Sequence, residues 1–323
     1  MILFLGNMIS FRLHFFYSIL SLFSLEAGIA DHLKPALNKG YNHSFKNIDF
    51  IYMINLDKRP EKFLMSQKQL TQYGVNPYRF SAVNGWELSL EAILDVGLKY
   101  KPGMNPLLAS TFVKMDDKLI VSHEYMQDYD KSYFCHCMAP GPIGCALSHI
   151  SVLKDAYDSG YEIIWVMEDD IEVIRNIQIL PDLIDQLTNL TGKGNWDVLF
   201  TDFDYRIGVQ QYLPSYGLTK RPNFDCSEKY RYQNKFTDKS EIHSCFRKMP
   251  SRFGTASMII SRSGIKKLLQ FSLENDLFLP YDLENRYPQG LIRYGLMFDV
   301  VTNMLDSISD NGKPGYLEKE QKN

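Results

Sequence analysis

Residues 161–170 read YEIIWVMEDD, an apolar segment that ends in three consecutive carboxylates. Apolar side chains on both faces are typical of a central strand in a sheet that is covered on both sides. Such sheets place ligand sites at the carboxyl ends of their strands. The segment therefore predicts an α/β fold with polar ligands at this strand end.

The three carboxylates are candidates for a metal site. Alternation along an extended segment sends Glu168 and Asp170 to one side and Asp169 to the other. Two carboxylates on one side can share a hard divalent cation. The alternative is a polar strand end that opens into a solvated loop, and the triplet alone does not decide between the two.

Composition narrows the class of protein. The chain has 323 residues, 45% hydrophobic and 23% charged, which is enough to bury a core as one large domain or two small ones. The formal net charge is −3 and long Lys/Arg blocks are absent from the sequence. A protein that binds the nucleic-acid backbone needs such positive charge, so we expect no nucleic-acid partner.

The first thirty residues resemble a targeting segment. Residues 13–25 carry no formal charge, Arg12 precedes them, and Gly28 and Ala30 provide small side chains for cleavage after residue 30. Residues 1–11 are also apolar, so an uncleaved membrane anchor and a buried helix are the alternatives. We expect a signal peptide or anchor over residues 1–30, and an exported or membrane-associated protein with the cytoplasmic face left open. Export would favour a disulfide between Cys226 and Cys245.

A polar linker over residues 31–47 leads into a predicted βαβ unit. Residues 48–54 and 76–83 have strand patterns, and residues 61–73 between them have helical spacing. A right-handed crossover makes the two strands parallel and turns the loop after the first toward a ligand crevice. The helix side chains expected to face inward are Phe63, Leu64 and Leu70.

Residues near 98–138 are predicted to be an irregular insertion because they mix Pro, Gly and polar residues. Residues 205–250, rich in Tyr, Arg, Lys and Asn, suit a sugar-facing insertion and equally suit a solvated loop. Between them, residues 141–156 have helical spacing and Gly160 ends the helix just before the acidic strand. His149 on this helix would, taken alone, more often be a hydrogen-bonded structural residue.

Several segments in a fixed order carry a resemblance to a known family. They are INLDKR (54–59), SAVNG (81–85), GCALSH (144–149), EDD (168–170), GTASMIISRSGIKKLL (254–269) and the following Pro280-Tyr281-Asp282. Together, over roughly residues 48 to 300, they resemble glycosyltransferase family 25. That family includes bacterial lipopolysaccharide and lipooligosaccharide sugar transferases and the collagen hydroxylysine galactosyltransferases of animals.

The resemblance implies a GT-A type fold, a three-layer α/β/α sandwich with a mostly parallel central sheet, over residues 48–310, followed by a polar tail over 311–323. It implies metal-dependent, inverting transfer of a hexose, galactose or glucose. The donor would be a nucleotide-sugar such as a UDP-hexose, and the acceptor a hydroxyl of a glycan or glycoconjugate. The expected cofactor is Mn or Mg.

The resemblance also implies roles for individual residues. Glu168 and Asp170 would hold the metal, and Asp170 would take part in catalysis. Asp282 would be the general base, although it could equally cap a helix or face solvent. Contacts to the nucleotide-sugar are expected from Asn55, Leu56, Arg59, Gly85, Ser148, His149 and Asp169. Asn55 could equally cap the helix, and Arg59 could pair only with Asp57. Asp202 and Asp204 are a second pair of candidates for the base, at a point where the sequence departs from the family pattern.

Two other functions are compatible with these residues. A non-catalytic, exported carbohydrate-binding or interaction protein that retains the fold would show no manganese-dependent turnover of any nucleotide-sugar. A metal-dependent phosphoesterase would supply several spaced Asp and His ligands, and the His residues of this chain do not cluster in the sequence.

Overall fold

The computed structural model describes residues 28–40, 42–116, 118–215, 219–224 and 238–312. The predicted signal or anchor up to residue 27, Cys226 and the tail from residue 313 lie outside the described residues. Cys245 is a free thiol. Within the described ranges, every helix is too short or too polar to cross a membrane.

The strands, in chain order, are β1 (Phe50–Asn55), β2 (Tyr78–Ser81), β3 (Leu98–Lys99), β4 (Leu108–Met115), β5 (Lys118–Tyr125), β6 (Ser132–Cys135), β7 (Ile163–Glu168), β8 (Ile171–Val173), β9 (Val198–Phe200), β10 (Arg206–Gly208), β11 (Gln211–Tyr212), β12 (Glu241–His243), β13 (Phe246–Lys248), β14 (Ser257–Ser261), β15 (Arg293–Leu296) and β16 (Val301–Asn303). The helices are α1 (Pro60–Thr71), α2 (Leu90–Val96), α3 (Pro140–Asp158), α4 (Leu180–Thr191), α5 (Arg262–Asn275) and α6 (Tyr281–Glu284). Short 3-10 turns occur at Ile29–His32, Gly85–Glu87 and Ile177–Ile179.

An eight-stranded sheet, in the order β12-β13-β15-β9-β14-β7-β1-β2, forms the centre of the molecule. β1 is parallel to both β2 and β7, which confirms the predicted βαβ unit. β14 is antiparallel to β7 and β9, and β13 is antiparallel to β15 and β12. β9 and β15 are parallel to each other. Only β13 and β14 are reversed, so the other six of the eight strands point the same way. The predicted α/β class is confirmed, with a mixed sheet.

Helices cover the sheet on both faces, because side chains of the central strands alternate between two cores. Tyr52 of β1 and Val166 of β7 pack in one core together with apolar residues of α3 and α5. Met53 and Trp165, each next to one of them in the chain, pack in the other core with residues of α1 and α4. The central strands are therefore buried on both faces, as their unbroken apolar sequences predict.

The inward face of α1 differs from the prediction. Leu70 is buried as expected, but Leu64 is 60% exposed and Phe63 is only half-buried. The other buried positions are Lys62 and Ser66, whose side chains bond to the backbone oxygens of Ile308 and Asp169. The helix packs with a polar face against the loop that carries the carboxylates, so apolar spacing alone gave the wrong orientation.

The two predicted insertions contain regular structure. Within residues 98–138, β3, β6, β4 and β5 form a four-stranded antiparallel sheet around the long β4–β5 hairpin. Its outer strand is exposed and mixes polar with apolar residues, so the sequence appeared irregular. Within residues 205–250, β10 and β11 form a hairpin, while β12 and β13 extend the main sheet. The prediction of an irregular segment was wrong for residues 98–138.

Glycines bring the start of α3 against the loop after β2. A Cβ atom on Gly85 would lie 1.7 Å from the carbonyl oxygen of Pro140, and one on Gly144 would lie 2.4 Å from the amide nitrogen of Gly85. Only residues without a side chain allow this approach. As a result, α3 and the carboxyl ends of β1, β2 and β7 surround one crevice.

Candidate active site

Glu168 is the last residue of β7, Asp169 and Asp170 follow it, and the three carboxylates have different partners. Asp169 accepts a hydrogen bond from Asn55 Nδ2 at 2.6 Å, so it faces the end of β1. Asp170 accepts one from Ser307 Oγ at 3.0 Å. Glu168 and Asp170 both line two adjoining cavities. Of the three carboxylates, only Glu168 and Asp170 line both of these cavities, and their role as metal ligands stays a prediction.

Glu168 belongs to a hydrogen-bonded group with α3. Its Oε1 accepts a hydrogen bond from Thr255 Oγ1 at 2.7 Å and lies 3.3 Å from Nε2 of His149. The His149 ring is buried and stacks on Tyr281, with the ring centres 4.4 Å apart. Burial would raise the pKa of Glu168, but the bonds and charge from His149 and Thr255 outweigh burial and hold that pKa below its usual value.

Negative charge accumulates in the loop after Glu168. Burial, with the charges of Asp170 and Glu168, raises the pKa of Asp169 to about 6. Burial and the charge of Glu168 raise the pKa of Asp170 as well. Neither aspartate forms a salt bridge within the described residues.

This donor set fits a hard divalent cation. Clustered, half-buried carboxylates are the kind of oxygen ligands that Mg²⁺ and Mn²⁺ prefer, and of the three only Glu168 has an ion-pair partner, His149, within the described residues. Cys145, His149 and Glu168 offer a second set, with donor atoms within 4.8 Å of one another. A soft thiol ligand selects metals such as Zn²⁺, whereas carboxylate oxygens suit Mg²⁺ and Mn²⁺. The carboxylate pair is the better candidate.

The first cavity lies between α1, α3 and the loop after β2, and has a volume of about 80 Å³. It is lined by Ile54, Leu56, Lys62, Ala82, Val83, Asn84, Gly85, Trp86, Gly141, Cys145, Ser148, the three carboxylates, Ser309, Asp310 and Asn311. Four residues predicted to contact a nucleotide-sugar are therefore brought together here: Leu56, Gly85, Ser148 and Asp169. Ser148 also accepts a hydrogen bond from the amide of Val83 at 2.8 Å, which fixes the wall of the cavity.

Asn55 and His149 lie behind the cavity wall. Asn55 is buried, donates to the carbonyl of Arg59 at 2.8 Å and to Asp169, and accepts from Arg79 Nε at 2.7 Å. These partners occupy its amide group, so the structure gives it a positioning role toward Asp169. His149 contacts the Glu168 carboxylate in a similar way, so it has a positioning role toward Glu168.

The basic residues near the first cavity differ from the prediction. Arg59 forms ion pairs with Glu61 and Asp310 and does not line the cavity. Asp57, its predicted alternative partner, pairs with Arg79 at 3.2 Å. Lys62 lines the cavity instead, and it was missed because a lysine on a helix normally faces solvent. Its position one helical turn after Arg59 was the available signal.

Asp282 lines the second cavity, which has a volume of about 550 Å³. Its two carboxylate oxygens accept hydrogen bonds from the amides of Gly254, at 2.8 Å, and Leu283, at 2.9 Å. Burial raises the pKa of Asp282 against the effect of these amides. Glu168, Asp170 and Tyr205 line the same cavity. The structure thus places the predicted base across one cavity from the predicted metal ligands.

Asp202 and Asp204, the other candidates for the base, form ion pairs away from the two cavities. Asp202 is fully buried in a two-pronged ion pair with Arg252 and also accepts from Thr302 Oγ1 at 3.1 Å. Asp204 pairs with Lys239 at 2.6 Å and lies 3.5 Å from Arg247. Neither aspartate lines the two cavities. Their surroundings are those of structural ion pairs.

The sequence model of "Glycosyltransferase family 25 (LPS biosynthesis protein)" matches residues 48–283. The chain belongs to glycosyltransferase family 25. The match spans β1 to α6 and includes the carboxylates, the walls formed by α3 and the loop after β2, and Asp282.

Curated relatives agree with this assignment. A "Glycosyltransferase 25 family member" of Drosophila melanogaster is 29% identical over 135 residues, which is 42% of this chain and 18% of the relative. One of Aedes aegypti is 28% identical over 158 residues, 47% of this chain and 21% of the relative. An "Inactive glycosyltransferase 25 family member 3" of Homo sapiens is 24% identical over 153 residues, which is 47% of this chain and 21% of the relative. The matched part is about one fifth of each relative.

Proposed function

We propose that the chain is a metal-dependent, inverting glycosyltransferase of GT-A type. It transfers a hexose, galactose or glucose, from a nucleotide-sugar such as a UDP-hexose to a hydroxyl of a glycan or glycoconjugate. One observation carries the proposal: Glu168 and Asp170 line both cavities, and Asp282 lies in the larger one. This suits a donor on one side of the carboxylates and an acceptor on the other.

The residues have separate roles in this reaction. Glu168 and Asp170 would hold Mn²⁺ or Mg²⁺, which supplies positive charge to the departing diphosphate. The first cavity, with Leu56, Gly85 and Ser148, takes the donor. Asp282 accepts the proton of the acceptor hydroxyl in the second cavity, on the opposite side of the donor sugar.

The human relative that is named inactive favours a second candidate function, in which the chain binds a nucleotide or glycan without turnover. The two functions differ in one measurable property. A binding protein would take up a nucleoside diphosphate but release none from any nucleotide-sugar.

The acceptor and the site of action also belong to the proposal. The family description mentions lipopolysaccharide biosynthesis. We propose that the segment before residue 28 brings the protein to a membrane or into an export route, with its acceptor on a membrane-associated or exported glycoconjugate.

The decisive experiment measures nucleoside diphosphate release and sugar transfer from a panel of nucleotide-sugars with Mn²⁺. We expect Asp170→Asn to lower both rates by about two to three orders of magnitude, because a metal ligand is lost. Asp158→Asn is a matched control, since Asp158 pairs with Lys154 at the exposed end of α3. Full activity in EDTA would contradict the metal role, and an NMR assignment of the product anomer tests inversion.

A further inference from the structure

The first cavity is too small for the ligand proposed for it. Its volume is about 80 Å³, whereas sites for small molecules usually enclose about 300–1,000 Å³. Part of its wall is residues 309–311, which come from the far end of the described chain. We call residues 304–312, which follow β16 directly, the strap.

The strap lines the first cavity through residues 309–311 and is attached to the rest of the molecule at several points. The amide of Met304 donates to the backbone oxygen of Asp170 at 2.8 Å, and Ser307 donates to its carboxylate. Trp86 Nε1 donates to the backbone oxygen of Asp310 at 3.0 Å. At Gly141, a Cβ atom would lie 2.5 Å from the backbone oxygen of Asn311. The strap therefore packs directly on α3.

The side chain of Asp310 is the centre of these contacts. Its carboxylate forms ion pairs with Arg59 and, at 2.8 Å, with Lys62. Lys62 is only 6% exposed, and its Nζ also donates to the carbonyl of Ile308 at 2.7 Å. A buried ammonium needs an anion beside it. In this structure, the strap provides that anion.

We propose that Lys62 and Arg59 form an anion site for the diphosphate of the nucleotide-sugar, and that Asp310 occupies this site until the donor displaces it. The inference rests on the proposed function and adds Lys62 and the strap to it. Carboxylates and phosphates are bound by Lys and Arg through the same charge-assisted hydrogen bonds, so the two anions compete.

The contacts of the strap are of a kind that allows it to be released from the first cavity. Ile308, at its middle, is 79% exposed, so release of the strap uncovers little apolar surface there. Its anchors are mainly polar contacts at the cavity mouth, which water or a ligand can replace. Release would also widen the first cavity toward the size that a nucleotide needs.

The test is calorimetric binding of UDP with Mn²⁺, and of inorganic pyrophosphate with and without Mn²⁺, to the full chain. Asp310→Asn removes the competing charge and should tighten binding of both probes roughly five- to tenfold. Asp306→Asn is the matched control, since Asp306 is an exposed carboxylate of the same strap, and it should change neither affinity. Lys62→Gln should weaken both, and the gain from Asp310→Asn should shrink in the Lys62→Gln background.

The outcomes are distinct. Unchanged or weaker pyrophosphate binding by Asp310→Asn overturns the displacement of the strap, as does a parent protein that binds no pyrophosphate at all. Tighter pyrophosphate binding without any nucleotide binding supports the anion site and counts against the proposed nucleotide-sugar. Melting temperatures of the variants identify any loss of fold, and the comparison of Asp310→Asn with Asp306→Asn does not depend on Lys62→Gln folding.

Discussion

Asp282 and Asp202 carry the same side chain in opposite surroundings. Asp202 is surrounded by Arg252 and Thr302 and has no free surface. Asp282 receives two backbone amides and keeps one side toward the second cavity. The sequence predicted that both aspartates follow a strand or lie in a loop. Only their contacts in the folded structure distinguish the structural carboxylate of Asp202 from the reactive carboxylate of Asp282.

Replacing Asp282 by Asn tests the reactive role. We expect transfer to fall by about two to four orders of magnitude while UDP and Mn²⁺ bind as in the parent, since the amide keeps the shape but cannot accept a proton. The base must be ionised, and burial raises its pKa. The parent kcat/KM should therefore decline as pH falls through a pKa above the usual range for Asp. Transfer at the parental rate would show that the base is another residue.

Replacing Asp202 by Asn tests the structural role. The change leaves the Arg252 guanidinium buried without its counter-charge, because both groups have almost no exposed surface. Loss of one partner of a buried ion pair usually costs about 3–5 kcal/mol of unfolding free energy. Urea unfolding should show this loss, and Asp158→Asn serves as the exposed control. A stable Asp202→Asn protein that lacks activity would instead favour a catalytic role for Asp202.

At the scale of elements, α1 provides a direct comparison of two leucines. Leu70 is fully buried in the core with α4, and Leu64 is mostly exposed. We expect Leu70→Ala to lower the free energy of unfolding by about 2–5 kcal/mol. Leu64→Ala should change it by less than about 0.5 kcal/mol. Urea unfolding of the two variants checks this, and equal losses would contradict the orientation of the helix.

The sequence predicted the elements whose patterns are strong and local. β1, α1, β2, α3 and β7 were expected close to their observed bounds, since uninterrupted apolar strands and helical spacing are local signals. The reversed direction of β14 depends on strand pairs far apart in sequence, which no local pattern encodes. The strands of residues 98–138 were missed because the outer strand, β5, mixes polar with apolar residues and because Pro102 and Pro106 precede the hairpin.

The candidate site was predictable to a similar degree. Acidic residues at a strand end and glycines at a close approach leave clear signals in the sequence. Lys62 and Asp310 leave no such signal, because their role depends on an ion pair between residues 248 positions apart in the chain. The orientation of Asn55 likewise depends on Arg79 of β2 and on Asp169 in the loop after β7. Partners that meet only in the folded chain could not be read from local patterns.

At the scale of the whole molecule, the site is a local excess of negative charge in a chain of formal net charge −3. The raised pKa values of Asp169, Asp170 and Asp282 mean that these groups hold protons more tightly when folded than when unfolded. For a carboxyl with a raised pKa, stability declines as pH rises through the folded-state pKa. The stability that these three groups contribute to the fold without a bound cation is therefore lost as pH rises through their raised pKa values.

A bound cation should reverse that loss, and this predicts a pH-dependent effect of Mn²⁺ on the melting temperature. At about pH 8 the carboxylates are ionised, Mn²⁺ binds well, and the folded state is stabilised in proportion to RT ln(1 + [Mn²⁺]/Kd). At about pH 5, below the pKa of about 6 of Asp169, protons compete with the metal, and burial, which raises the pKa of Asp170, acts in the same direction, so the rise in Tm should shrink. Asp170→Asn should show little rise at either pH, while Asp158→Asn should behave as the parent. An equal rise at both pH values, or a full rise in Asp170→Asn, would mean that Mn²⁺ binds elsewhere on the molecule.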